Sequence, residues 1–102
     1  NVNEFLSSQS ININKKLGTK IGQGRLPYAA GKEGIEQAKL TIKETLENAT
    51  QISPVIPSSS VRGDYDLIHV YSSKTNSTVS LRILSNGKYE FDTLIPEKSS
   101  KF

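Results

Sequence analysis

Leu67-Ile68-His69-Val70-Tyr71, then Val79-Ser80-Leu81-Arg82-Ile83, then Tyr89-Glu90-Phe91-Asp92-Thr93-Leu94-Ile95, are the runs whose reading decides the fold. In each, side chains alternate with a period of two, the pattern of strands with one dry and one wet face. Lys74-Thr75-Asn76-Ser77 reads as a four-residue turn between the first two runs, and Ser85-Asn86-Gly87 as a three-residue turn before the third, with Gly87 free to take positive φ. Pro96 stops the last strand and leaves 97–102 as a tail. The expectation is a three-stranded antiparallel meander over residues 64–95.

Register follows from loop length and from the need for one dry face. The first turn is expected to pair Val70 with Leu81, Ile68 with Ile83 and His69 with Arg82. The second is expected to pair Ile83 with Tyr89, Leu81 with Phe91 and Arg82 with Glu90. Both choices put Ile68, Val70, Val79, Leu81, Ile83, Tyr89 and Phe91 on one side. The other side then carries His69, Arg82 and Glu90 in one row and Tyr71, Ser80 and Asp92 in the next, at cross-strand spacings of about 5 Å.

A cover for the dry face lies upstream. Ile35, Ala38, Ile42, Leu46 and Ala49 recur at three- and four-residue spacing, which predicts one amphipathic helix over 33–50. Glu33 and Glu36 stand in its first turns, where the helix dipole favours acids. The run Ser53-Pro54-Val55-Ile56-Pro57-Ser58-Ser59-Ser60 is expected to be a connector tied down at Val55 and Ile56, because prolines remove amide donors and serines favour turns. Residues 1–14 read as a polar N-terminal arm or a short helix beginning after Asn3. Residues 15–32, with Gly18, Gly22, Gly24 and Gly31, read as a basic loop. The fold class is α+β, in a single domain with a thin core, since 102 residues fit one domain and only 34% of them are hydrophobic.

Composition excludes several chemistries. The chain has no Cys and one His, so it holds neither a disulfide framework nor a common zinc site. Asp64, Asp66, Glu90 and Asp92 leave room for a carboxylate magnesium site and nothing more specific. No metal or cofactor is expected. No apolar run approaches the roughly 20 residues that span a bilayer, so no membrane anchor is expected. Residues 1–14 lack the zones of a signal peptide, and a chain opening on Asn1 rather than Met is expected to be a fragment or processed product.

The charge distribution is more informative than the net charge of +3. Lys15, Lys16, Lys20, Arg25 and Lys32 fall in a segment without a single acid, which suits a polyanion such as RNA. An imidazole, a guanidinium and a carboxylate within mutual reach are the parts needed to cleave RNA without metal. The carboxylate or imidazole takes the ribose 2′-hydroxyl proton, the guanidinium neutralises the phosphorane, and the remaining group protonates the leaving 5′-oxygen. His69, Arg82 and Glu90 are therefore the candidate catalytic residues, with Arg82 in the middle role because its planar fork binds two phosphate oxygens and stays charged. Arg62 and Lys20 are further candidates for phosphate contacts, and Tyr28, Tyr65 and Tyr71 for base stacking. The plainer reading is an exposed sheet with an ordinary cross-strand Arg82–Glu90 pair and a polar-face histidine.

The order of parts resembles a known group. A basic N-terminal segment, one long helix, a Pro/Ser connector, Arg62-Gly63-Asp64-Tyr65-Asp66-Leu67-Ile68-His69-Val70-Tyr71, a middle strand with Arg82 and a short closing strand are similar to the C-terminal ribonuclease domains of bacterial polymorphic toxins. The likeness is closest to the tRNA-cleaving toxins of CdiA contact-dependent growth inhibition proteins, within the barnase, EndoU, colicin and RelE-like group. It covers about residue 18 to the end.

This resemblance implies metal-independent cleavage of tRNA to a cyclic phosphate. It also implies export at the tip of a larger cell-surface protein and action in the cytoplasm of a target bacterium. A cognate immunity protein and, for some members, elongation factor Tu are the implied partners. Barnase-like members use a carboxylate, an arginine and a histidine, which His69, Arg82 and Glu90 match in kind but not in chain order. Others rely on Lys, Thr or Ser, which brings Lys20, Thr93 and Ser80 into the candidate site, beside Tyr71 and Asp92 on the same face. The competing expectations are a non-enzymatic RNA- or protein-binding module such as an immunity protein, and a metal-dependent or DNA-directed nuclease.

Overall fold

A computed structural model describes residues 1–58 and 64–102. Helix α1 (Val2–Ser8) starts at Asn1, whose side-chain oxygen accepts from the Glu4 amide at 2.9 Å and satisfies a free donor of the first turn. Helix α2 (Ser10–Gly22) follows directly. Ile13, Leu17 and Ile21 recur at every fourth position along it and are all buried. The basic segment is therefore helical as far as Gly22 rather than a loop from residue 15. The apolar stripe outweighs the roughly 1 kcal/mol that each helical glycine costs.

Helix α3 (Lys32–Glu47) is the expected amphipathic helix, ending three residues earlier than the predicted 50, with Ala38 and Ile42 fully buried. Gly34 permits its close start: a Cβ there would lie 1.7 Å from the Ala29 carbonyl oxygen, so the preceding turn packs onto bare backbone.

The helices pack on an antiparallel sheet in the order β1 (Gln51–Ile52), β2 (Asp66–Ser72), β3 (Ser77–Ile83), β4 (Tyr89–Ile95). This is the α+β architecture expected, with α3 against β2 and β3 and α2 against β4. The fourth strand, beyond the expected three, lies just before the connector. Gln51 and Ile52 pair with Tyr71 and Val70, and Ile56 bridges Leu67. Ile56 is buried as expected, whereas Val55 is 53% exposed and does not anchor the segment.

Phe91, Val79, Leu94, Val70 and Leu81 form the sheet side of the core. Phe91 and Leu94 both reach it because β4 carries a bulge. Leu81 pairs with Phe91 but Ser80 with Thr93, so Asp92 is the extra residue and the alternation of β4 is reset behind it. Tyr89, expected under the helix, is 47% exposed at the sheet end.

The second hairpin has the predicted pairs Ile83–Tyr89, Arg82–Glu90 and Leu81–Phe91, with Gly87 at φ 79°. The first differs. Ser72 pairs with Ser77 around a turn of residues 73–76, so that His69 faces Ser80, Ile68 faces Leu81, Val70 faces Val79 and Leu67 faces Arg82. The shift of two preserves which face each residue uses and changes its neighbour. Asn76 supplies the left-handed turn residue at φ 47°. The Thr75 hydroxyl meets that of fully buried Thr45 on α3 at 2.6 Å, a tertiary bond that fixes where the chain turns.

Candidate functional site

His69, Arg82 and Glu90 all stand on the polar face, but His69 is not in the row expected for it. Its cross-strand partner is Ser80, because the first turn closes one residue earlier on each strand. Arg82 sits between Leu67 and Glu90. The guanidinium is the hub. Nη1 donates to Glu90 Oε1 at 3.1 Å, Nε lies 3.4 Å from Asp92 Oδ1, and Tyr65 lies under the guanidinium at 5.5 Å.

Asp92 reaches this cluster because the bulge frees it from the ladder. It also accepts from Ser80 Oγ at 2.9 Å and stands 3.9 Å from Lys16 Nζ. These four charged side chains are each about a quarter to a third exposed, from 23% at Asp92 to 32% at Glu90.

Helix α2 brings the lysines to the edge of β4. Asn12, Lys16 and Lys20 repeat at four-residue spacing on the side of the helix next to that edge. Asn12 Nδ2 donates to the Phe91 carbonyl at 2.9 Å, Lys16 Nζ to the same carbonyl at 3.3 Å, and Lys20 Nζ to Thr93 Oγ1 at 2.9 Å and to the Leu94 carbonyl. The outer edge of the sheet is thereby covered. Between α2 and β4 lies an open cleft of about 280 Å3 whose lining includes Lys15, Lys16, Lys20, Arg25, Asp92 and Thr93. Burial, with Arg82 adding to it, lowers the Lys16 pKa below the usual lysine value against the pull of Asp92 and Glu90. Burial and Arg25 lower that of Lys20.

His69 has a different setting. It is 6% exposed, and its Nδ1 stands 2.6 Å from Ser99 Oγ. Residues 97–102, expected as a tail, lie over this end of the polar face. Thr78 Oγ1 donates to the Glu97 carbonyl at 2.7 Å and accepts from the Ser99 amide at 3.1 Å, and the Phe102 ring meets those of His69 and Tyr71 at 6.4 and 6.0 Å. Burial pushes the His69 pKa below its ordinary 6.5, opposed by Asp92 and reinforced by Lys101, so the ring is neutral near pH 7.

Of the other candidates, Lys15, Lys16, Lys20, Arg25, Asp92 and Thr93 meet at the cleft, and Ser80 joins them through Asp92. Tyr71 lies at the covered end, its hydroxyl donating to Asn76 Oδ1 at 2.8 Å. Lys32 opens α3 and does not line the cleft. Arg62 lies outside the described residues. Among the described residues no group of three or more His, Asp or Glu side chains stands close enough to hold a metal ion, and no helix is long and apolar enough to cross a membrane.

Asn12 and Ser99 were not foreseen. The spacing of Ile13, Leu17 and Ile21 pointed to the helix that carries Asn12; nothing local points to Ser99. In comparisons with known proteins, no family model matches the chain, and neither a curated protein nor a solved structure matches it.

Proposed function

We propose that this chain is a metal-independent endoribonuclease domain of the antibacterial-toxin type, cutting tRNA by attack of a ribose 2′-hydroxyl on the adjacent phosphate. The observation that carries the reading is the cluster of Arg82, Glu90, Asp92 and Lys16 beside a cleft with three further cations. A carboxylate of Glu90 or Asp92 takes the 2′-hydroxyl proton. The 2′-oxygen then bonds to phosphorus, the P–O5′ bond breaks, and Arg82 balances the charge on the phosphorane.

Lys16, with its lowered pKa, supplies the proton to the leaving 5′-oxygen, or His69 does so in its protonated, imidazolium form. His69 takes part once residues 97–102 move aside. The products are a 2′,3′-cyclic phosphate and a 5′-hydroxyl. By the same reading the domain is exported on a larger cell-surface protein and acts in the cytoplasm of a target bacterium. A cognate immunity protein holds it in check, and elongation factor Tu is a candidate presenter of the tRNA.

A second reading, a non-enzymatic RNA- or protein-binding module such as an immunity protein, draws support from the covered His69 and from Arg82 being engaged by two carboxylates. The discriminating experiment incubates the purified chain with tRNA in excess EDTA and maps the ends. Fragments ending in a cyclic phosphate are expected. Intact tRNA, together with harmless expression of the chain without a partner gene, would favour the binding module.

A further inference from the structure

The α2–β4 cleft holds more positive charge than it neutralises. Lys15, Lys16, Lys20 and Arg25 line it with Asp92 as their one acid, and that carboxylate is shared with Arg82 and Ser80. The Lys20 ammonium has only neutral acceptors, Thr93 Oγ1 and the Leu94 carbonyl. Arg25 meets the side-chain oxygen of Gln23 at 3.2 Å, and the Lys15 ammonium has no partner among the described residues. Cations held together without counterions repel one another, and two of them are fixed by bonds to β4 rather than free to swing apart. The arrangement is ready for an anion before any arrives.

The lining also limits what that anion is. It has no aromatic ring and no large apolar side chain, so nothing in it stacks on a base; its polar groups are ammonium, guanidinium, hydroxyl and amide, with the single carboxylate of Asp92, which is already shared with Arg82 and Ser80. We infer that the cleft is a backbone-phosphate subsite for single-stranded nucleic acid, indifferent to base and to sugar, next to the Arg82 cluster. Its place beside a reacting phosphate rests on the ribonuclease reading, while its affinity for phosphate does not. Selection for RNA then falls to the chemistry alone, because only RNA carries the 2′-hydroxyl that attacks. A DNA strand of the same sequence should occupy the subsite and stay whole.

The test uses that difference. Binding of a fluorescent single-stranded DNA oligonucleotide to the full chain is followed by anisotropy across a salt series, with the RNA of the same sequence in parallel. The double variant Lys15→Gln/Arg25→Gln removes two exposed cations whose side chains make no hydrogen bond or ion pair with the sheet among the described residues, and circular dichroism checks that it keeps its fold. Each cation lost should flatten the plot of log affinity against log salt by about 0.7 on a single strand, so the slope should fall by roughly 1.4 for DNA and RNA alike.

An unchanged slope overturns the subsite. So does polyglutamate displacing the oligonucleotide as well as unlabelled DNA does at equal charge, which would assign the cleft to acidic protein. A chain that shows the slope change but leaves tRNA intact in EDTA keeps this subsite and loses the proposed function.

Discussion

At one end of the polar face His69 is 6% exposed, neutral and bonded to Ser99 beneath Phe102; at the other, Arg82, Glu90, Asp92 and Lys16 share charge at the mouth of an open cleft. Both ends come from the same strands, two residues apart along them. The difference arises at the margins. Residues 97–102 return over β2 and β3, whereas the β4 side is flanked by a helix whose lysines point along the edge. An imidazole is thus held dry at one end, and a cluster of charged groups is held wet at the other. On the ribonuclease reading, an incoming phosphate would meet the charged end first.

The sharpest way to break this division is Arg82→Ala. If the charged end is the reaction centre, cleavage should fall by about 10² to 10³ in kcat, the usual effect of removing one stabilising donor from a transition state. Stability should change by at most about 1 kcal/mol, since the pairs it makes are partly exposed. Rates measured on tRNA in EDTA and a thermal melt give both readouts. Wild-type kcat in the variant would remove Arg82 from the centre.

His69→Ala should cost less, about 10² in kcat, as is common for a general acid or base. Its pH–rate profile should lose one limb, a change that a packing defect would not produce. Ending the chain after Pro96 sharpens the contrast from the other side. With Ser99 and Phe102 gone, the imidazole should titrate closer to its ordinary value in an NMR pH series and cleavage should rise. If the truncated chain keeps the lowered pKa, residues 97–102 are not what dries His69.

How much of this was legible depends on where each constraint sits. The strands, α3 and the β3–β4 pairing are local: period-two alternation, three- and four-residue spacing, and a glycine where the turn needs positive φ. The β2–β3 register was not, because Ser, Thr, Lys and Asn accept several turn positions and the choice is made by Thr75 bonding to Thr45, 30 residues away in sequence. The Asp92 bulge has no local mark either, though it is what carries that carboxylate to Arg82. In α2, Gly18, Gly22 and the lysines masked a plain stripe of Ile13, Leu17 and Ile21. The site residues were thus named largely by type and face, while their neighbours depended on contacts between distant segments.

The smallest expected effect is on stability, and it tests whether the imidazole is held neutral by the fold. Because the folded pKa of His69 lies below 6.5, the native chain binds fewer protons than the unfolded chain over the interval between the two values. Stability should be unaffected by this group above about pH 6.5. It should decline as the pH falls through that value, and level off below the folded pKa. Asp92 and Lys101 are the charges that bear on the ring, and both are present in wild type and variant alike. The difference in urea midpoint between wild type and His69→Gln, followed from pH 7.5 down to pH 5, isolates the contribution of His69. It should narrow or reverse on acidification in favour of the variant, and two parallel curves would mean that the imidazole is no drier in the folded chain than in the unfolded one.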